Sequence, residues 1–494
     1  MTQGQQVRDS VVYMVPALVG NVLPLVTLPL ITRALSPAEY GMWALALAYG
    51  SFVIGLANFG LTLAYDRFFF EYQGTPKEPA LLYSILAFVA GAFGLCMVGT
   101  WWMRDSLGHW LLGRADAGGL LFLAAAGSGL SSLKWYFLAH LRNSGQARAY
   151  VWFTLDETVM AAVVSVLLVV WFQTGVIGMA WGQFSAALLI LTAVTVRFIR
   201  RVPPVFSGDI LLEALRLGYP LTPRILLGAV GNNFDKYLLG LLASTGSVGV
   251  YAIGQKISHI VFTYMTALEN VFGPQTYRYM FDQGEAGGVA LGRYLTPFAY
   301  ASAAIALAVA LFSEEAVAML APPEYGAAVI VVNVLVLYFA SMFFGKQPQL
   351  AYARQTHMLS VLTMVSLAIN AGCTLLGVRM FGLWGAAGGM LTAGLLSVVL
   401  HNVVARRYYR IQWEWTRLSA IGGMLLIAAI LPPAAIAADA SYPIRLALKG
   451  VVITAFAVLG HWLGILSRER AVAVWGTVIQ RFRPTAVSVE GTRP

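Results

Sequence analysis

Charge is what this sequence has least of. Asp, Glu, Lys and Arg make up 11% of its 494 residues, against roughly 25% in an average soluble domain. A chain so poor in charge cannot dress a soluble fold of this size. Cysteine is nearly absent. Cys96 and Cys373 lie mid-span in apolar runs and give neither a disulfide framework nor a metal motif. They read as small buried hydrophobes. The six histidines are scattered without metal-ligand spacing. There is no Walker A run, no Gly-x-Ser-x-Gly and no Asp-x-Asp. Long hydrophilic stretches are missing too. The longest connections, near 199–215 and 273–293, are about 20 residues. No extramembrane domain fits in them, and no long loop exists to carry the catalytic groups of a membrane polymerase or ligase. The chain therefore reads as no enzyme, with no cofactor and no metal.

What is present is apolar sequence. Hydrophobic residues are 59% of the chain and the mean hydropathy is +0.73. Runs of about 20 apolar residues predict a polytopic membrane protein. Fourteen spans are expected, near 11–32, 41–64, 80–102, 117–139, 150–171, 176–198, 216–242, 248–272, 294–312, 327–345, 358–377, 382–402, 418–438 and 444–466. They are long and do not alternate, so they predict helices rather than strands. The first follows only ten residues and lacks a small-residue cleavage site, so it is expected to be a retained helix.

The net charge of +10 is distributed unevenly. With a cytoplasmic N-terminus, 23 of the 32 Lys and Arg fall on cytoplasmic loops, tails or helix ends. Only Arg33, Arg104, Arg114, Arg379 and Arg445 face outward, beside an acidic outer loop at Glu314, Glu315 and Glu324. The positive-inside rule then predicts that both termini are cytoplasmic. The basic excess reads as topology and contact with anionic lipid headgroups. A nucleic-acid role would need a basic folded surface with interleaved aromatics, and none is present. Trp101, Trp102, Trp110, Trp171 and Trp413 lie at span ends and read as interfacial belts rather than sugar-stacking platforms.

The chain also repeats itself. Gly41-Met42-Trp43-Ala44 recurs as Gly249-Val250-Tyr251-Ala252, an offset of 208. Gly175-Val176-Ile177-Gly178 recurs as Gly382-Leu383-Trp384-Gly385, an offset of 207, and Pro16 precedes Pro223 by the same 207. A duplicated bundle of membrane helices marks an alternating-access transporter with its site between the halves. The expected organisation is all-α: a six-helix bundle over 1–198, a cytoplasmic linker over 199–215, a second six-helix bundle over 216–404, two further helices over 405–466, and a cytoplasmic tail over 467–494. One amphipathic stretch is expected in that tail, from Ala471 to Phe482, followed by a disordered end. The first helix of each half is interrupted by proline, at Pro16, Pro24 and Pro29 and at Pro220 and Pro223. Interrupted helices at matching positions point to a transport site; harmless kinks are the alternative.

Charge inside a bilayer is expensive, so intramembrane ionisable residues are functional candidates by default. Span 7 carries Arg224, Asp235 and Lys236, span 8 carries Lys256 and His259, span 5 carries Asp156 and Glu157, and span 4 carries Lys134. At ~1.5 Å per residue, Lys236 and Lys256 sit roughly 9 and 12 Å from the outer ends of their spans. Arg224 and Asp235 are eleven residues apart, about three turns of one face. The alternatives are structural. Asp235 would pair with Lys236 or Lys256, and Asp156 or Glu157 with Lys134. Polar residues such as Asn21 and Asn232 serve either sugars or interhelical hydrogen bonds.

Three stretches resemble the polysaccharide-biosynthesis flippases, the Wzx-like branch of the multidrug/oligosaccharidyl-lipid/polysaccharide exporter superfamily. They are Thr32-Arg33-Ala34-Leu35-Ser36-Pro37-Ala38-Glu39-Tyr40-Gly41, Asn232-Asn233-Phe234-Asp235-Lys236-Tyr237-Leu238-Leu239-Gly240 with Val248-Gly249-Val250-Tyr251, and Pro322-Pro323-Glu324-Tyr325-Gly326. The resemblance implies two six-helix halves that flip an undecaprenyl-pyrophosphate-linked glycan across a bacterial inner membrane. Its partners would be that lipid-linked glycan, membrane lipids, and polysaccharide polymerase or export proteins. Arg binds a pyrophosphate through paired planar donors and Lys as a point charge. Arg224, Lys256 and Lys236, with Asn232 and Asn21, are the substrate-binding candidates. Glu157, Asp156 and Asp235 are the ion-coupling candidates. Rival readings are a lipid II-type flippase, a multidrug/cation antiporter of the same superfamily, and, from another class, a membrane-embedded glycan polymerase or ligase.

Overall fold

The computed structural model describes residues 3–465. The amphipathic stretch and the arginines expected after 467 lie outside the described residues. Among the described residues the fold is all helix, with no strand. The helices are α1 (Gln3–Ala34), α2 (Pro37–Asn58), α3 (Leu61–Tyr72), α4 (Lys77–Trp102), α5 (Arg104–Leu112), α6 (Gly118–Asn143), α7 (Ala147–Val166), α8 (Val176–Ile199), α9 (Gly208–Gly218) and α10 (Thr222–Gly231). They continue as α11 (Phe234–Leu242), α12 (Thr245–Gln283), α13 (Gly287–Leu311), α14 (Ser313–Leu320), α15 (Ala328–Ser341), α16 (Pro348–Tyr352), α17 (Thr356–Ala405), α18 (Trp415–Ala437) and α19 (Tyr442–Trp462). Nine helical stretches among the described residues are long and apolar enough to cross a membrane. Three of the nine hold more than one helix: 245–311 contains α12 and α13, 328–352 contains α15 and α16, and α17 is broken at Gly382.

Exposure confirms the solvent these helices expect. Trp102, Trp110, Trp171 and Trp462 are 75–88% exposed near helix ends, as an interfacial belt requires. Along α7 and just past its end, Val159, Val163 and Leu167 are exposed. Such a run of bare aliphatic side chains is stable only against lipid.

Two compact units share the chain. The first comprises 1–253 with 317–327 and 375–386; the second comprises 254–316, 328–374 and 387–494. In the first, α2 and α6 are the most buried helices, around Leu45, Tyr65, Leu81 and Tyr136. In the second, Met280, Leu291, Leu295, Tyr409 and Ile411 form a core cluster.

The repeated glycines now have a physical cause. Gly175 and Gly382 adopt φ/ψ of 64°/−153° and 55°/−124°. That region is open essentially only to glycine, and each residue turns the chain into a new helix. Gly41 and Gly249 pack on each other's helix starts. A Cβ on Gly41 would lie 1.7 Å from the Thr245 carbonyl oxygen, and one on Gly249 would lie 2.0 Å from that of Pro37.

The segment expected as a linker carries a docked helix. Ser207 caps α9, and Ile210 and Ala214 bury its apolar face. The Tyr83 hydroxyl donates to the Val202 carbonyl (3.0 Å), and the Ser207 N–H donates to Ser84 Oγ (2.8 Å). The Tyr72 hydroxyl donates to Glu213 Oε2 (2.7 Å). That bond to a carboxylate holds the Tyr72 hydroxyl up at about 12, with burial and the nearby negative charge adding to the rise.

Candidate functional site

Proline shapes the two interrupted helices differently. α1 stays one hydrogen-bonded helix with Pro16, Pro24 and Pro29 inside it. The second is cut into pieces. Pro220 sits in a 3-10 turn at Tyr219–Leu221, and Pro223 sits in the first turn of α10, where a missing N–H costs nothing. A second break follows at Asn232 and Asn233, before α11. Asn233 Nδ2 donates to the Ala229 carbonyl (3.2 Å), so the side chain closes the end of α10. Its other atom, Oδ1, accepts from Lys236 Nζ (3.2 Å). Asp235 is 4% exposed, stands in the first turn of α11 and accepts the Lys236 N–H at 2.9 Å. A carboxylate there also meets the positive end of the helix dipole.

The break corrects one expectation. Arg224 and Asp235 do not share a continuous helical face, because their eleven residues span two helices and a turn. Arg224 and Asn232 are exposed, Lys236 is half-buried and Asp235 is buried. Arg224 has no ion-pair partner among the described residues. Asn21 is exposed on α1, in the same unit. Lys256 is half-buried on α12 and belongs to the second unit.

The carboxylates of α7 divide cleanly. Lys134 is 5% exposed and pairs with Glu157, not Asp156. The other Glu157 oxygen accepts from Ser131 Oγ at 2.6 Å, and Lys134 Nζ also reaches the Phe153 carbonyl at 3.5 Å. Asp156, one residue earlier and about 100° around the helix, is exposed.

Three sequence stretches converge in the first unit. Ser36 and Glu39 form a reciprocal capping box at the start of α2, with Pro37 at its first position. The Tyr325 hydroxyl donates to the Leu35 carbonyl (3.0 Å), and Thr32 Oγ1 donates to that of Leu320 (2.8 Å). Tyr40 and Tyr325 meet edge to face at 6.4 Å. With the Gly41–Gly249 packing, the segments 32–41, 248–251 and 322–326 build one node.

Sequence reasoning missed Lys449. It is 1% exposed on α19, paired with Glu315 and, at 3.6 Å, with Glu314, while Arg445 pairs with Glu314 at 2.6 Å. The available signal was the i, i+4 spacing of Arg445 and Lys449 against two adjacent acids. Lys346 and Glu269 form another pair in the second unit, at 2.9 Å.

The long apolar helices and their bare flanks mark a multi-pass membrane protein, and its fold is shared by two known structures. The lipid II flippase MurJ, in an inward closed conformation, matches with a TM-score of 0.69 at 10% identity, over 92% of this chain and 99% of that one. A multidrug resistance MATE family transporter of the MOP superfamily, in an inward-facing conformation, matches with a TM-score of 0.63 at 16% identity, over 84% of this chain and 99% of that one. No curated protein matches the sequence. Residues 6–271 match the polysaccharide biosynthesis protein family, and the chain belongs to that family.

Proposed function

We propose that the protein flips a polyprenyl-pyrophosphate-linked oligosaccharide from the cytoplasmic to the periplasmic leaflet of a bacterial inner membrane, by alternating access, for polysaccharide biosynthesis. Both termini face the cytoplasm. The observation that carries the reading is the family match over 6–271 in a chain with a flippase-type fold. Arg224, Lys236 and Lys256 supply the cationic contacts to the pyrophosphate, with Asn232 and Asn21 bonding the glycan. Coupling to an ion gradient runs through Glu157, Asp156 or Asp235. Of these, Asp156 is the exposed carboxylate and Glu157 is held by Lys134. Export hands the glycan to polymerase or export proteins in the same membrane.

The deciding experiment is reconstitution. Purified protein in liposomes should move a fluorescent polyprenyl-pyrophosphate-linked oligosaccharide to the opposite leaflet, read by protection from an added glycosidase. Transport of lipid II or of a cationic drug instead would reassign the substrate within the fold. Chain elongation without translocation would reassign the class.

A further inference from the structure

The second unit holds a half-open pocket of about 270 Å³ that no candidate above occupies. Its walls come from the last turns of α12, from α13, from the turn before α16, from the start of α17 and from the 411–413 segment. Phe272, Tyr277, Phe343 and Trp413 give it an aromatic lining. The rings brace one another. Phe272 lies 5.5 Å from Phe343, and Trp413 packs edge-on at 5.3 Å against Phe344. Trp413 thus departs from the belt expected of it: it is half-buried in a cavity wall.

The polar part of the wall is small and specific. Glu269 and Lys346 both line the cavity and pair with each other. Thr276 and Gln347 complete it. Small-molecule sites have this composition, apolar and aromatic with a few convergent polar groups, and drug-sized ligands take about 300–1,000 Å³. The space here therefore fits a single ring.

The lining also selects the chemistry. A phosphate or pyrophosphate would need an uncompensated cation, and Lys346 is neutralised by Glu269. A polyprenyl or acyl chain would leave that ion pair facing hydrocarbon without compensation. A neutral pyranose has apolar C–H faces for aromatic rings and an edge of hydroxyls for a carboxylate, an ammonium and an amide. We infer that this cavity is a binding subsite for a neutral sugar ring, within the second unit and separate from the cations of α10 and α11. The inference rests on the reading of the protein as a glycan flippase. Arg278 follows Tyr277 and Arg410 precedes Ile411, so the expected orientation puts the subsite at the cytoplasmic end, where a glycan would load.

The test uses the full chain in lipid nanodiscs free of glycoside detergent. Saturation-transfer NMR is recorded with methyl glucoside, methyl galactoside and N-acetylglucosamine. Saturable binding is expected, weakened at least about fivefold by Tyr277→Leu and by Trp413→Leu, the loss of one aromatic contact each. Tyr277 is 37% exposed, so its replacement keeps the fold even if that of Trp413 does not. Glu269→Gln frees Lys346 and should shift preference from methyl glucoside to methyl glucuronide. Absence of saturable binding to wild type that melts normally overturns the subsite. Equal binding by wild type and Tyr277→Leu overturns it too, as does native mass spectrometry showing phospholipid retained by wild type and lost from Tyr277→Leu. Sugar binding in a protein that fails to flip lipid-linked glycan would retain the subsite and remove the proposed function. Flipping without sugar binding would do the reverse.

Discussion

Lys134 and Glu157 face each other between α6 and α7, with Ser131 on the second carboxylate oxygen. Arg224 and Asn232, on α10 and at the break after it, are exposed. Both sets lie in the first unit and both were candidates for the same transport cycle. The difference separates two uses of polarity. A charge that is dry, paired and hydrogen-bonded is held by the fold, and removing one partner harms the fold first. An exposed cation on a broken helix contributes little to packing, so its removal should show up in function. The comparison breaks if the buried pair proves dispensable for stability or if the exposed group proves necessary for it.

The largest effect is expected at the buried pair. Glu157→Gln leaves Lys134 without its counter-charge and should cost about 3–5 kcal/mol of stability. Lys134→Met together with Glu157→Leu removes both charges and should recover most of that loss. Thermal melts of the two variants in one lipid composition decide the point. If single and double variants melt alike, the pair does not hold α6 to α7.

The next effect comes from close packing rather than charge. Gly41→Ala places a Cβ against the Thr245 carbonyl oxygen, a backbone atom that cannot swing aside. Overpacking of this kind costs about 1–3 kcal/mol. Gly249→Ala should cost a similar amount, because it strikes the Pro37 carbonyl across the same contact. Unchanged melting in both would mean the node is looser than the glycines imply.

Arg224→Ala should change stability by no more than about 0.5 kcal/mol, as exposed positions do, and still abolish glycan export at matched protein level. Lys256→Ala should also abolish export. Arg224→Lys should be impaired if paired donors are needed and tolerated if charge suffices. Wild-type export by the alanine variants would remove the pyrophosphate assignment; a collapse of the Arg224→Ala melt would move Arg224 into the structural class with Glu157.

The repeat was legible because glycine has no substitute at either kind of position. Gly175 and Gly382 need a positive φ, and Gly41 and Gly249 need the absence of a Cβ. The proline breaks around 220–223 were legible for the same reason. The break at Asn232 and Asn233 was not, since asparagine costs a helix only a few tenths of a kcal/mol and its closing bonds are side-chain chemistry. The choice between Asp156 and Glu157 is one of helical phase. α7 is apolar nearly all round, so the periodicity gives no phase. Lys449 hides between apolar neighbours, Leu448 and Val451 among them, and its partner Glu315 is 134 residues away in sequence. Trp413 looked like a belt residue because span ends are where belts lie, and only tertiary packing turns it toward a cavity.

The smallest effect concerns the bond that ties the 199–215 segment to α3. Tyr72 donates to Glu213, and its hydroxyl titrates near 12 rather than at its ordinary value of 10. A raised folded value means that the unfolded chain loses this proton first. The contribution of the bond is therefore complete below about pH 10 and is lost as pH rises through about 12. Within the physiological range it should not vary. Tyr72→Phe should lower the melting temperature modestly at neutral pH, because it removes a single part-buried hydrogen bond at the edge of the docked segment. It should also abolish that part of the alkaline destabilisation that wild type shows between pH 10 and 12. Hydrogen exchange across α9 gives the local reading. Faster exchange there in Tyr72→Phe, with α6 and α7 unchanged, would place the effect on the docked segment. Parallel loosening of the Lys134–Glu157 region would instead mean that the docked helix and the buried pair act as one cooperative unit, and the contrast between exposed and buried polarity in this half of the chain would have to be redrawn.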